Sequence, residues 1–413
     1  MKLSKYYLLV GIVLISIASI YSEEITGNNL EVRLIIIGQG DEIYSLWQHT
    51  GIAIKNKESG EDIFFDFGNF SFEEDKFFEN FAFGRMLYMA YANYTEKYLA
   101  YVYKEKRDII EYELNLSPTR KLKMYNDLTK ITLPENRNYL YHHYRDNCST
   151  RIRDYIDDAV NGQLKLETNI SRGSSYRKSF LLYTSNKKIV GSILSILQGP
   201  EIDHDITMWQ EMFLPDILEE GIESFKYKDE NGEMVPLVKS KKILYNADQR
   251  KPLPDVYSPP YLSVLFISIT LSGIILYLNI RSRKNKIRLF SLANIFFGFF
   301  FGLLGLVLVF LATLTDHTYS YDNLNIFMIN PIALLIVPAS ILYWIKGNKW
   351  RGKIDLLWHL QLVLTILMIL IKIFTPIKQD NLLEIILILP ILFAFTPLFP
   401  NLLERSKITR AIS

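Results

Sequence analysis

The chain contains very little cysteine: a single residue, Cys148, among 413. A lone cysteine cannot form an internal disulfide, so the fold does not rest on a disulfide framework. The thiol is then either a small buried side chain or a free reactive group. A strong net charge is also lacking, since the formal value is +2, and nothing in it indicates nucleic-acid binding. The chain also has no internal repeat and no low-complexity tract, a pattern unlike that of a repeat protein.

Apolar residues are abundant, at 49% of the chain, and they are unevenly distributed. A short basic start followed by the mostly apolar residues 6–20 is typical of an export signal, so residues 1–22 are predicted to be a signal peptide or an uncleaved N-terminal anchor. After residue 260, five apolar stretches each approach the roughly 20 residues that cross a bilayer. These stretches are Tyr261–Ile280, Leu289–Thr315, Asn323–Trp344, Asp355–Thr375 and Leu382–Leu402.

Basic residues in the connecting loops predict the orientation of these stretches. The loops 281–288 and 346–353 carry five and four Lys or Arg, whereas the loop 316–323 carries none. Basic loops stay in the cytoplasm, so the residues before 261 are expected outside it, as the export signal independently requires. The predicted order is an extracytoplasmic domain (23–250), a proline-rich linker (251–260), five membrane helices (261–403) and a cytoplasmic tail (404–413).

Strands and helices both appear in the extracytoplasmic part, which is predicted to be α+β. Short segments rich in β-branched or alternating residues predict strands at Glu31–Gly38, Gln48–Lys55, Ile63–Phe67 and Arg107–Leu116. Ser117-Pro118 then predicts a helix start, with serine as the N-cap and proline at the first helical position.

Cys148 is predicted to lie at the start of a helix. The apolar residues Ile152 and Ile156 follow it at helical spacing, and Asn147 or Ser149 is the expected N-cap. A helix N-terminus favours the thiolate, and its N–H groups could hold an oxyanion during acyl transfer. The alternative is a small apolar side chain that packs the end of a helix.

A nucleophilic cysteine needs a base, and histidine is the usual one. His49 lies on a predicted strand, and Asp66 or the nearby Asn69 on the next strand could orient its imidazole. The alternatives are a structural histidine in the core and a turn carboxylate. His142 and His143 are near Cys148 in the chain, but a catalytic base is usually adjacent in space instead.

Further charged and aromatic residues carry weaker predictions. Arg151 and Arg153 could hold a lipid phosphate, or one of them could pair with a neighbouring aspartate. Residues 64–103 contain nine Phe and six Tyr, which either form core or line an acyl-chain groove. Lys372 and Glu384 lie near the ends of predicted membrane helices and are expected to reach the interface.

Several motifs carry a resemblance to a known family. A histidine on one strand, a polar residue on the next and a later cysteine at a helix start resemble the circularly permuted papain-like (NlpC/P60-like) group. More specifically, the segments WQHTGIAI, FDFGNFSF, ELNLSP, YRDNCSTRIRD and DITMWQEMFLPDIL resemble the Lnb family of bacterial lipoprotein N-acyltransferases over about residues 30–225. The family assigns catalysis to a cysteine and a histidine, which by position are Cys148 and His49. Asp66 as a third member is our own inference.

The resemblance implies a function at the bacterial inner membrane. A membrane phospholipid would donate an acyl chain through a thioester on Cys148, and the α-amine of a diacylglyceryl-modified lipoprotein would accept it. No metal and no organic cofactor are expected. Two other classes remain open: a thiol hydrolase that acts on peptidoglycan or lipid, and a membrane receptor or assembly factor without catalysis.

Overall fold

The computed structural model describes residues 25–70, 76–247, 250–283 and 287–398. The predicted signal segment (1–22) and the predicted tail (404–413) lie outside these residues. Two compact units form. Among the described residues, the first unit takes 25–70, 87–170 and 208–247, and the second takes 76–86, 171–207 and 250–398.

Strands and helices alternate irregularly along the described chain. In chain order, the strands are β1 (Leu30–Ile37), β2 (His49–Asn56), β3 (Asp62–Asn69), β4 (Leu87–Tyr94), β5 (Ile109–Leu114), β6 (Asn138–Leu140), β7 (Ser171–Ser174), β8 (Ile206–Thr207), β9 (Lys226–Lys228), β10 (Met234–Pro236) and β11 (Val238–Tyr245). In chain order, the α-helices are α1 (Phe77–Ala82), α2 (Thr95–Lys104), α3 (Pro118–Ile131), α4 (Cys148–Ala159), α5 (Gln163–Thr168), α6 (Tyr176–Tyr183), α7 (Lys188–Ile196), α8 (Met208–Glu211), α9 (Pro215–Glu223), α10 (Tyr261–Ser282), α11 (Ile287–Leu314), α12 (Asn325–Met328), α13 (Ile336–Lys346), α14 (Arg351–Phe374) and α15 (Leu382–Phe395).

A seven-stranded sheet organises the first unit, in the order β11-β5-β1-β2-β3-β4-β6. Each neighbouring pair is antiparallel. Helices pack on both faces because side chains alternate along each strand. Ile52 and Phe65 join the large core formed with α3, α4 and α9, whereas Ala53 and Phe64 join a smaller core with Val102 of α2. This unit is α+β, as predicted, while the permuted papain-like assignment stays a prediction.

The local predictions agree well with these elements. All four predicted strands are confirmed, with ends shifted by one or two residues, as β1, β2, β3 and β5. The helix at Pro118 is also confirmed, since Ser117 accepts a hydrogen bond from the N–H of Arg120. Helix α4 ends before Asn161 and Gly162, which both take left-handed backbone conformations that stop a helix.

The second unit contains three stretches long and apolar enough to cross a membrane: Tyr261–Ser282, Ile287–Leu314 and Asn325–Phe374. Helix α15 is a shorter apolar helix. The predicted stretch Asn323–Trp344 is not one continuous helix. Asn330 caps a 3-10 turn that begins at Pro331, which lacks an N–H, and α13 starts only after that turn. The count of five membrane helices therefore stays a prediction.

Part of the predicted extracytoplasmic domain belongs to the second unit. Residues 171–207 pack there with the membrane region through backbone carbonyls. Asn323 donates to the carbonyl of Ile196 at 2.8 Å, and Gln379 donates to that of Gln198 at 3.2 Å. The sequence places these residues in the extracytoplasmic domain because their composition is that of a soluble segment, and the bounds of that domain stay a prediction.

Candidate active site

Cys148 is the first residue of α4, so the helix begins where the sequence predicted. Its N-cap is Asn147, whose Oδ1 accepts from the N–H of Thr150 at 2.9 Å. In return, the Thr150 hydroxyl accepts from the N–H of Asn147 at 2.8 Å. This reciprocal capping box fixes the first turn. Cys148 is half-buried and lies beside the free N–H groups of the first turn.

Two predicted supporting residues tie this helix start to a neighbouring segment. Asn147 Nδ2 donates to the carbonyls of His143 and Phe213, both at 2.9 Å. Ser149 Oγ donates to the carbonyl of Met212 at 2.7 Å. Asn147 and Ser149 are both buried, and their side chains are fully engaged in holding the turn. Their contribution is therefore support of the backbone next to the thiol.

The N–H groups at the start of α4 divide into two sets. The N–H of Thr150 is bonded to the Asn147 side chain, and the N–H of Arg151 is bonded to the Asn147 carbonyl at 3.1 Å. The N–H groups of Cys148 and Ser149 have no intrahelical partner, since the first turn of any helix lacks one. These two groups are the ones that can stabilise a negative oxygen beside the sulfur.

His49 and Asp66 meet at the ends of two paired strands. His49 Nε2 lies 2.8 Å from Asp66 Oδ1, and their side chains are only 14% and 6% exposed. Asp66 is itself held in place, because Oδ1 accepts from the Gly68 N–H at 2.7 Å and Oδ2 accepts from Asn69 Nδ2 at 3.3 Å. The carboxylate thus fixes the imidazole, and Asn69 acts on His49 through Asp66.

Gly68 makes room for the imidazole. Gly51 is paired with Asp66, and continuing this register brings His49 level with Gly68. A Cβ on Gly68 would lie 2.5 Å from His49 Cε1, which is closer than any real contact of this kind. Only glycine therefore allows the ring to occupy its place. The motif FDFGNF contained this residue, but its role depends on strand pairing that a sequence alone does not give.

The electrostatics of the site keep His49 protonated. Burial lowers the pKa of His49, but the charges of Asp66 and Cys148 and their hydrogen bonds to the ring raise it to about 10. Because Nε2 is engaged with Asp66, the nitrogen that remains for Cys148 is Nδ1. The charged imidazole therefore lies beside Cys148.

Arg151 and Arg153 have internal partners. Arg151 makes two hydrogen bonds to the carboxylate of Asp146, at 2.6 and 2.9 Å. Arg153 bonds to Asp154 Oδ1 at 2.7 Å, and also donates to the carbonyl of Trp209 at 2.7 Å. The pairing of an arginine with Asp154, which the sequence left as an alternative, is present. Both guanidinium groups stabilise the surroundings of α4.

His142 and His143 form part of the turn that leads into α4. His142 Nδ1 accepts from the N–H groups of Tyr144 and Arg145, each at 3.2 Å. Burial, and then the nearby charge of His142, lower the pKa of His143 to about 3. His143 is therefore neutral and is packed edge-on against the ring of Trp47, 4.8 Å away.

Two further residues near His49 escaped the sequence analysis. Gln48 has a left-handed backbone (φ 65°), and its Oε1 accepts from the N–H of Asp216 at 3.1 Å, which fixes the entry into β2. The Tyr98 ring lies 6.4 Å from that of His49 and stacks on Phe64 at 4.2 Å. Burial and the charge of Asp66 raise the pKa of Tyr98, so its phenol stays neutral beside the site.

The described part of the chain holds no cluster of three or more His, Cys, Asp or Glu that could bind a metal ion. The groups available at the site are the Cys148 sulfur, the His49 imidazolium and two backbone N–H groups. Such an arrangement can attack a carbonyl carbon, stabilise the oxyanion and protonate a leaving group.

Comparison with known proteins gives two matches to family models. Residues 18–179 match the model described as the Lnb N-terminal periplasmic domain, and residues 253–399 match that of the Lnb transmembrane domain. The two matches are consecutive and together span most of the chain. No curated protein and no solved structure matches it.

Proposed function

The chain belongs to the Lnb family, and from this premise we propose that it is a lipoprotein N-acyltransferase with Cys148 as its nucleophile. The family supplies the coarse assignment, an enzyme-like extracytoplasmic domain joined to membrane helices. The observation that carries the finer proposal is the position of Cys148 at a capped helix start beside His49, whose imidazole is held by Asp66.

In the first half-reaction, the Cys148 thiolate attacks the carbonyl carbon of an ester bond in a membrane phospholipid. The carbonyl oxygen becomes an oxyanion, which the N–H groups of Cys148 and Ser149 stabilise. When the C–O bond breaks, His49 gives its proton to the leaving alkoxide. The products are a lysophospholipid and a thioester on Cys148, with His49 now neutral.

In the second half-reaction, the acceptor is the free α-amine of a diacylglyceryl-cysteine at the N-terminus of a lipoprotein. Its nitrogen attacks the thioester carbon while His49 takes the proton from nitrogen. The C–S bond then breaks, which yields an amide and the Cys148 thiolate beside an imidazolium. Atoms and charge balance without a metal or an organic cofactor, and both lipid substrates reach the enzyme within one membrane.

A permuted papain-like scaffold is part of the same proposal. Three features support it: a cysteine on the first residue of a helix, a histidine on a strand of an antiparallel sheet, and a carboxylate on the next strand. The histidine precedes the cysteine in this chain, which is the permuted order.

The test replaces the proposed nucleophile and base separately. We expect Cys148→Ala to abolish N-acylation of a diacylglyceryl lipoprotein peptide by the purified full-length protein, measured as the acyl mass shift in mass spectrometry. In wild type, acid quenching should trap an acyl group on Cys148 that hydroxylamine releases. In His49→Ala, this thioester should fall by at least about 100-fold. His204→Ala, which changes an exposed histidine of the second unit, is the control and should retain the thioester.

Each other outcome contradicts part of the scheme. If Cys148→Ala still forms the N-acyl product, Cys148 is not the nucleophile. If wild type releases free fatty acid from phospholipid but never acylates the peptide, the protein is a thiol hydrolase. If neither product nor thioester forms with any phospholipid, the catalytic proposal fails.

A further inference from the structure

A cleft in the second unit carries charge of one sign. A space of about 20 Å³, enough for one water-sized group such as an ammonium, lies between residues 181–195, 257–261 and 380–384. Its charged lining residues are Asp380 and Glu384, and its other polar groups come from tyrosine and serine side chains such as Tyr257 and Ser195. No lysine or arginine among the described residues lines it.

Glu384 is unusual because it is buried without a direct ion pair among the described residues. It lies in the first turn of α15 and is only 8% exposed, yet it borders the cleft. Its carboxylate makes no ion pair and no hydrogen bond with another side chain of the described residues, and its near donor is its own backbone N–H. A buried carboxylate is costly unless a cation or a donor compensates it, so the site calls for a positive ligand.

The cations nearest to Glu384 are already engaged with other groups. Lys372 donates to the carbonyl of Gln379 at 2.7 Å and also to the side chain of Asn381. Arg177 is bonded to Asp203 at 2.8 Å. Neither comes within ion-pair distance of Glu384 in the structure. These two side chains therefore act on Glu384 only at longer range, and neither supplies a direct contact to its carboxylate.

The cleft also offers a phenol. Burial, and then the negative charges of Glu384 and Asp380, raise the pKa of Tyr257 to about 12. A neutral phenol beside two carboxylates can accept a hydrogen bond from an N–H while its own O–H donates. With Glu384 and Asp380, Tyr257 makes three acceptor side chains, which matches the three N–H donors of a primary ammonium group.

The position of the cleft fits the head of a membrane amphiphile. Tyr261 is the first residue of α10, and Glu384 lies in the first turn of α15. These helices run side by side in the same direction, with Ser268 donating to the carbonyl of Leu387 at 2.8 Å. The cleft thus lies where both helices begin, next to the linker from the extracytoplasmic part. Apolar tails would extend along the helices, and a polar head would reach the carboxylates.

We propose that this cleft binds the protonated primary amine of a membrane amphiphile between Asp380 and Glu384. The amine has two chemical sources: the ethanolamine head of a phospholipid, and the α-amine of a diacylglyceryl-cysteine lipoprotein. Its assignment to donor or acceptor rests on the proposed function, whereas amine binding does not. The residues that hold it differ from those proposed to carry the acyl transfer.

Equilibrium binding to the full-length protein in nonionic detergent tests this site without any turnover. Three probes are titrated by calorimetry: dihexanoyl-phosphatidylethanolamine, dihexanoyl-phosphatidylglycerol and a diacylglyceryl-cysteine peptide with a free α-amine. Cys148→Ala serves as the background, so that no acyl group is transferred. For whichever amine-bearing probe the cleft binds, we expect Glu384→Gln to raise the Kd about ten-fold, the typical effect of losing one charge-assisted contact. The Kd of phosphatidylglycerol should not change.

The outcomes separate the two sources. If Glu384→Gln weakens the binding of phosphatidylethanolamine only, the cleft binds the phospholipid head. If it weakens the binding of the peptide only, the cleft binds the acceptor. If Glu384→Gln changes neither by more than about two-fold, or weakens phosphatidylglycerol equally, the inference is wrong. These results do not depend on whether N-acylation occurs, so a failure of the proposed function would be seen separately.

Two further variants guard against misfolding. Asp255→Asn makes the same chemical change on an exposed residue of the linker outside the cleft lining, and it should bind all three probes like the background protein. Tyr257→Phe removes one oxygen only and should weaken the amine-bearing ligand about three-fold. If Glu384→Gln does not fold, a wild-type response to Tyr257→Phe and Asp380→Asn would overturn the site.

Discussion

At the scale of single residues, the contact between Gly68 and His49 gives the sharpest expectation. Gly68→Ala would place a methyl group 2.5 Å from His49 Cε1, so the ring must move. We expect N-acylation to fall by about 100-fold, because displacements of about 1 Å at a catalytic group have effects of this size. Gly273→Ala is the control, since a Cβ there meets nothing within 4 Å. Equal activity of both variants would contradict the role of Gly68.

The pKa of His49 gives a second expectation at this scale. A folded pKa of about 10, above the ordinary 6.5, means that the ion pair stabilises the fold fully below pH 6.5 and is lost as the pH rises through 10. If catalysis needs the imidazolium, kcat/KM should fall as the pH rises through the same range, on the alkaline limb of the pH profile. Asp66→Asn removes a principal cause of the raised pKa, so the limb should move to lower pH.

The measurement is a pH profile of kcat/KM for both proteins, together with the thermal midpoint at pH 6 and pH 10. Wild type should lose more stability than Asp66→Asn between these two values. An unchanged alkaline limb in Asp66→Asn would show that Asp66 does not set the protonation of His49.

The sequence identified site residues only where a reactive or charged side chain stands out from its surroundings. Cys148 is unique in the chain, and a histidine or carboxylate in an apolar strand draws notice, so Cys148, His49 and Asp66 were identifiable. Gly68, Gln48 and Tyr98 were not. Their importance arises from which strand ends and helix faces meet in space, and that information is tertiary.

At the scale of elements, the start of α4 depends on both ends of the Asn147 amide. Asn147→Ala removes the cap, which lowers the free energy of unfolding by about 1 kcal/mol. It also leaves buried carbonyls without a donor, which lowers it by about a further 1–3 kcal/mol. Asn147→Ser keeps a capping oxygen but loses the bonds to His143 and Phe213. We therefore expect the unfolding temperature to decrease from wild type to Asn147→Ser and again to Asn147→Ala, as measured by tryptophan fluorescence. A serine variant no more stable than the alanine variant would contradict the capping contribution.

The helix at Cys148 and the helix before α13 show why some elements are predictable and others are not. The first has a local cap and an apolar period, so its start could be read directly. In the stretch Asn323–Trp344 hydropathy is uniformly high, yet Asn330 and Pro331 interrupt it. A hydropathy window averages over such a break, because it counts apolar residues and ignores backbone hydrogen bonds.

At the scale of the whole molecule, Arg177 holds the segment 171–207 together from within. Its buried guanidinium bonds to Asp203 and to the carbonyls of Ser195, Gln198 and Gly199. Removing one partner of a buried ion pair costs about 3–5 kcal/mol. We expect Arg177→Ala to make this segment sensitive to trypsin at Lys187 and Lys188 in detergent, detected by mass spectrometry.

Lys178→Ala changes an exposed residue of the same helix, α6, and should leave the segment protected. Equal resistance of both variants to trypsin would show that Arg177 does not hold the segment together. The sequence did not predict these bonds, because the partners of Arg177 are mostly backbone carbonyls, which every residue carries.

The solitary cysteine has a practical consequence at this same scale. A chain with one thiol, half-buried and paired with an imidazolium, takes up at most one equivalent of an alkylating reagent. Iodoacetamide can therefore count functional molecules in a preparation, with no background from other sites and no engineered removal of cysteines. A fluorescent maleimide attached to Cys148 of the wild-type protein would report the binding of a lipid next to this residue.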